Sequence, residues 1–166
     1  LADDVVVVNS FSKYHGMTGW RIGWMVLPDE MVRPVQTLAQ NLFICAPHPA
    51  QVAALGALSE AGEREAAGHL DLYRRNREAV MAALEALGFR DIAPADGAFY
   101  AYARLPAGWE SDSREFCARL LEEAGVATTP GLDFDPVRGH ETVRFSYAQG
   151  SDRIAEGLER LARFVG

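Results

Sequence analysis

Lysine is almost missing from this sequence. Lys13 is the only one among 166 residues, against fifteen arginines, the two types together numbering sixteen. Cysteine is nearly as scarce. Cys45 and Cys117 stand in no metal or redox spacing, each among apolar neighbours. We therefore expect two buried free thiols, which suits a reducing compartment. No apolar run approaches the ~20 residues that a membrane-crossing helix needs, so no membrane partner is expected. Positive charge is in deficit and scattered: 16 basic against 23 acidic residues leaves a net charge of −7. With no basic block, nucleic acid is not expected as a partner either. Internal repeats and low-complexity segments are lacking.

What is present is an ordinary globular composition, 49% hydrophobic and 23% charged. Short β-rich runs, VVVV (5–8), IGWMVL (22–27), AFYAYA (98–103), VATT (126–129) and TVRFSY (142–147), alternate with stretches of helical periodicity. Helices are expected at about 31–42, 50–60, 63–87, 112–124 and from Ser151 to the end. Gly88 and Gly125 stand as C-cap glycines, and Asp112 with Glu115 has capping-box spacing. Ser151 is expected to cap the last helix. Pro34 must then lie in the first turn of its helix, because deeper inside it removes a ladder bond. Trp20 and Trp24 are expected in the core, and His48, between prolines, in a loop. His15 is expected to pack or to face solvent. The alternation means an α/β or α+β architecture, read as two units, 1–70 and 71–166. The loop 130–140 is the longest irregular stretch.

The lysine sits in NSFSKYHGMTGWRIG, residues 9–23. Arginine stays protonated under ordinary conditions, whereas a lysine can give up its proton and act as a nucleophile toward a carbonyl. Ser10 and Arg21 flank Lys13 with a hydroxyl and a guanidinium, donors that suit phosphate oxygens. The glycines at 16, 19 and 23 let the backbone turn and approach closely. No Walker A loop and no G-x-G-x-x-G fingerprint occurs.

The run S-x-S-K-x-x-G-M-T-G-W-R-I-G, followed by a strand and P-D-E, resembles the lysine motif of class I/II aminotransferases, pyridoxal phosphate enzymes of fold type I. DGAFYAY (96–102) is similar to that family's G-A-F-Y strand. TVRFSYA (142–148) is similar to the segment that carries its carboxylate-binding arginine. The resemblance covers essentially the whole chain. It implies an α/β fold: a C-terminal piece of the large-domain sheet, which binds the cofactor (1–70), and a small α+β domain (71–166).

It further implies that Lys13 forms the aldimine with pyridoxal 5′-phosphate and moves the proton between substrate Cα and cofactor C4′. Ser10, Arg21 and Ser12 would bind the cofactor phosphate. Arg144 would hold the substrate α-carboxylate in a bidentate pair. Amino acid and 2-oxo acid substrates, a homodimer in the full-length protein and a cytoplasmic location follow from the same resemblance, and no metal is implied. The family's partners for the pyridine ring lie well before its lysine, whereas this chain starts twelve residues before Lys13, without an initiator Met. A piece of a longer polypeptide, inactive alone, is therefore expected. Two other readings stay open: a free-standing α+β interaction module that kept the motif by descent, and a C–S β-lyase of the same fold type.

Overall fold

A computed structural model of the chain describes residues 4–109 and 112–166. The described chain divides into two compact units between His69 and Leu70. The first unit opens with β1 (Val7–Ser10) and β2 (Gly23–Val26), an antiparallel pair in which Val7 faces Val26 and Ser10 faces Gly23. Three helices follow: α1 (Asp29–Leu42), α2 (His48–Ala57) and the start of α3 (Glu60–Ala86). The second unit holds the rest of α3, then β3 (Tyr100–Arg104), α4 (Ser113–Ala124), β4 (Thr129–Pro130), β5 (Thr142–Ser146) and α5 (Ser151–Val165). Its sheet has the order β3-β5-β4, antiparallel throughout, with Tyr102 and Thr129 both opposite Arg144.

The second unit has the larger core. Along β3 and β5, alternate residues Ala101, Ala103, Val143 and Phe145 turn inward, as the two-residue period of a strand requires. They pack on Leu84 of α3, Phe116 and Leu120 of α4, and Leu161 of α5. Phe116 meets Phe89 and Phe164 edge-on, and Trp109 stacks on Phe164. Cys117 lies in this core, where burial pushes its thiol pKa up. Asn76 is a polar exception, 1% exposed. Its amide N–H groups donate to the carbonyls of Tyr147 and Gln149, and its oxygen accepts from Ser151, so burial leaves none of these groups unpaired.

Helix α4 begins and ends as the sequence predicts. The Asp112 carboxylate accepts from the backbone N–H groups of Arg114 and Glu115 at 2.9 and 3.0 Å, and Gly125 closes the helix at φ 67°. Asp112→Ala should therefore lower stability by about 1 kcal/mol, the usual cost of a lost N-cap. Urea unfolding followed by far-ultraviolet circular dichroism measures it, and a change below a few tenths would show the cap to be idle.

Several expectations need correction. Pro34 is the sixth residue of α1, not in its first turn. The helix starts earlier than its apolar pattern because Asp29 and Glu30 occupy its first turn, where carboxylates suit the helix dipole. His48 opens α2 rather than a loop, since proline beside it is tolerated in a first turn. Ser151 is not the cap of α5; Gly150 takes that position, and the Ser151 hydroxyl serves Asn76 instead. The loop 130–140 is ordered into two short 3₁₀ turns, Gly131–Asp133 and Gly139–Glu141. Cys45 is exposed, not buried: the chain leaves α1 through Ile44 at φ 69°, with Phe43 and Ile44 turned outward beside it. Trp20 and Trp24 are nearly half exposed. Trp20 ends the 3₁₀ turn Thr18–Trp20, and Trp24 lies in a sheet that has two strands among the described residues, with the apolar residues Val8, Met25 and Val26 of that sheet exposed as well.

That exposed strand pair should make the 166-residue chain associate with its own copies as concentration rises, because unpaired edges and apolar faces template further pairing. Val8, 73% exposed, is the place to block it. Val8→Lys should shift the chain toward monomer in sedimentation velocity, and an unchanged distribution would exclude this face.

Candidate functional site

The lysine loop is the connection between β1 and β2. Ser10 is the last residue of β1 and pairs with Gly23, the first of β2, so the chain between them forms a closed loop at the sheet's end. The close pairing requires glycine at 23, since a Cβ there would sit 2.5 Å from the Asn9 carbonyl oxygen. The loop is anchored inward by Phe11 and Met17, which pack with Ala54 of α2. The Phe11 N–H donates to Ile22 O, and the Met17 N–H to Phe11 O, both at 3.2 Å. Lys13 lies between these anchors on the exposed side. Its carbonyl accepts from the Gly16 N–H at 3.1 Å, closing a tight turn in which Gly16 adopts φ 64°.

The Tyr14 hydroxyl donates to Glu63 Oε2 at 3.1 Å, while Ser12 and Arg21 are linked through Thr18. Its hydroxyl donates to Ser12 O at 2.6 Å, and its carbonyl accepts from Arg21 Nη1 at 2.9 Å. Arg21 itself holds φ 52°, an uncommon conformation for a non-glycine residue. The Ser12 N–H donates to the Ser10 hydroxyl oxygen at 3.0 Å, which leaves that hydroxyl's own proton to offer. Ser10, Ser12 and Arg21 thus belong to one hydrogen-bonded loop around Lys13. Thr18, which ties it together, was not among the expected residues. The sequence shows a threonine there, but nothing in the spacing reveals that it bridges Ser12 to Arg21. No acidic residue occurs from Val5 to Pro28 in a chain of net charge −7. A local excess of cation and hydroxyl donors of this kind fits a phosphate, and a primary amine among them fits a carbonyl. His15 contributes ring contacts to Phe11 and Tyr14.

Arg144 belongs to the second unit. It is the middle residue of the central strand β5, on the face opposite the core. Its guanidinium carbon lies 4.3 Å from the centre of the Phe134 ring and 5.0 Å from that of Tyr100. Arg144 Nη2 donates to the Thr129 hydroxyl at 3.4 Å. Among the described residues no carboxylate pairs with it, although Arg104, its neighbour on the same sheet face, pairs with Asp91 and Glu141. Phe99 packs against the core, while Tyr100 faces outward, 38% exposed. Phe134 and Thr129 were not anticipated either, for they come to Arg144 only through tertiary folding. Among the described residues, no cluster of His, Cys, Asp and Glu could hold a metal, and no helix is long and apolar enough to cross a membrane.

The profile of the family "Aminotransferase class I and II" matches residues 2–163. The valine–pyruvate aminotransferase of Mycobacterium tuberculosis is 44% identical over 98% of this chain and 42% of its own length. The (5-formylfuran-3-yl)methyl phosphate transaminase of Methanocaldococcus jannaschii is 38% identical over the same shares. The crystal structure of an aminotransferase from M. tuberculosis superposes with a TM-score of 0.93 at 44% identity, covering 99% of this chain and 42% of that one. The chain thus spans about 42% of the length of these relatives.

Proposed function

Because this chain belongs to the class I and II aminotransferases, we propose that the polypeptide carrying it transfers an amino group between an α-amino acid and a 2-oxo acid, with pyridoxal phosphate as cofactor. The observation that carries this reading is the lysine loop: the chain's one lysine is set among phosphate-type donors, with no carboxylate in the segment. The relatives' names support the reaction class and differ in substrate.

Ser10 and Arg21 would hold the cofactor phosphate, with Ser12 beside them, and Lys13 would hold the cofactor's carbonyl carbon. When bound, pyridoxal phosphate supplies that carbonyl and an electron sink for the bond-breaking step. Lys13 Nζ takes the proton that leaves the substrate Cα, a role that requires an amine able to exist uncharged. The compact hydrogen bonds through Thr18 hold Ser12 and Arg21 in place without using the phosphate-type donors up. Arg144 offers a planar pair of N–H groups to a carboxylate, and the absence of an internal carboxylate partner among the described residues leaves that edge for a substrate.

Residues 1–70 are proposed as part of the cofactor-binding domain and 71–166 as the small domain. A homodimer and a cytoplasmic location belong to the same proposal, supported by the family and by two free cysteines. The activity is proposed for a polypeptide of the relatives' length, not for 166 residues alone.

Incubating the cofactor-loaded enzyme with an amino acid, with and without a 2-oxo acid acceptor, tests this. Transamination gives sustained product only with the acceptor. Sustained release of thiol and ammonia from a cysteine-type substrate without any acceptor would instead favour the β-lyase reading.

A further inference from the structure

We infer that Phe134, together with Tyr100, is a positioning residue that fixes the plane of the Arg144 guanidinium, so that its N–H edge and not its face meets a carboxylate. The inference rests on the proposal that Arg144 binds the substrate carboxylate. A guanidinium keeps its donors in its own plane. A guanidinium stacked on a ring therefore keeps the donors of its edge available. The guanidinium carbon of Arg144 stands 4.3 Å from the Phe134 ring centre and 5.0 Å from that of Tyr100, both within the range of a cation–π contact. A flexible arginine side chain otherwise samples many rotamers, and ordering it at the moment of binding weakens affinity.

Phe134 is half exposed, at 50%, so burial in the core does not explain its place. What holds it is the loop. The N–H groups of Phe134 and Asp135 both donate to Gly131 O at 2.9 Å, and the Gly139 N–H donates to Asp135 O at 2.8 Å. The two glycines meet so closely that a Cβ on Gly139 would stand 2.5 Å from the Gly131 carbonyl. Ser113, fully buried at the start of α4, donates its hydroxyl to Gly139 O at 2.7 Å. The loop is thus tied to a core helix, and Phe134 projects from a fixed base.

The loop also keeps its own anion occupied. The Asp135 carboxylate accepts from the backbone N–H groups of Arg138 and Val137 at 3.0 and 2.9 Å, and from Arg138 Nε at 3.3 Å. Those bonds, the Arg138 N–H foremost, hold its pKa below the usual carboxylate range. A carboxylate one residue from Phe134 is in this way committed to its own turn and is not paired with Arg144.

The test compares Phe134→Leu, Phe134→Tyr, Tyr100→Leu and Arg144→Lys in the cofactor-loaded enzyme. KM and kcat are measured for an amino acid and a 2-oxo acid, and calorimetry measures binding of isovalerate as an unreactive carboxylate. Phe134→Leu keeps apolar bulk and removes the ring face. It should raise both KM values and the isovalerate Kd about threefold to thirtyfold, the range of one cation–π contact, with kcat changed by less than about twofold. Phe134→Tyr should restore wild-type values, and Tyr100→Leu should show a smaller rise in the same quantities. If Phe134→Leu binds isovalerate like wild type while Arg144→Lys loses it, the positioning role is wrong and the carboxylate role of Arg144 stands. The positioning role is equally wrong if Phe134→Tyr fails to restore binding, since the ring face is then not what matters. If Arg144→Lys itself binds isovalerate like wild type, the carboxylate reading falls and takes this inference with it.

Discussion

Lys13→Arg should abolish amino-group transfer, lowering kcat by at least about 10²–10⁴-fold, the range attributed to one positioned proton-transfer group. The substitution keeps positive charge in the loop and removes only an amine that can shed its proton. The loop should survive it. Phe11 and Met17 anchor it inward, and Lys13 itself is exposed. Folding of the variant is checked by its unchanged melting temperature. A companion experiment localises the chemistry: borohydride reduction of the loaded enzyme, followed by peptide mapping, should place a pyridoxyl label on Lys13. Within this chain no other lysine competes for the label. A label found on any other residue, or an arginine variant that turns over normally, would end the idea.

Arg144→Ala should weaken binding of amino and 2-oxo acids by about 2–5 kcal/mol, the cost of removing one partner of a hydrogen-bonded charge pair. Arg144→Lys should recover part of that, because it restores a cation but not a planar pair of donors. The two variants should leave cofactor affinity unchanged, since the proposed phosphate-binding residues Ser10 and Arg21 belong to the other unit. Stability should change little: the side chain donates to the Thr129 hydroxyl at a long 3.4 Å, and the core lies on the other face of β5. The measurement is KM and the dissociation constant for an unreactive carboxylate, beside a cofactor titration. Unchanged KM in Arg144→Ala would remove Arg144 from the substrate site.

Much of this was legible in the sequence because it is local. Asp112, Glu115 and Gly125 mark α4 through rules that act within one turn. Lys13, Ser10 and Arg21 stand at a spacing that carries the family resemblance by itself. The errors have a common physical origin in distant partners. Ser151 has the chemistry of a cap, but a buried amide on α3, 75 residues away in sequence, takes its hydroxyl. Trp20 and Trp24 are apolar enough to be buried, yet hydrophobicity records what a residue would gain by burial, not whether a layer covers it. Phe134 was invisible for the same reason: ten positions separate it from Arg144, and only the folded loop brings ring to cation. Pro34 shows the limit of a local rule, since an acidic first turn moved the helix start and carried the proline inward.

The strand order of the second unit has a kinetic consequence. β5 lies between β3 and β4 and pairs with both, yet it follows both in the chain. During synthesis both outer strands are delivered before the strand that joins them. From Arg104 at the end of β3 to Thr142 at the start of β5 there are 142 − 104 = 38 residues, or roughly 2–8 s of translation at ordinary speeds. For that interval the edge of Tyr100–Arg104 that will meet β5 stays open, its other edge being the one that bonds Arg90 and Ala93. The Asn76 linkage, which spans more than seventy residues, must wait longer still. Assembly is thus gated by arrival of the middle strand, and refolding of the intact chain, where β5 is available from the start, should be faster than its appearance on the ribosome.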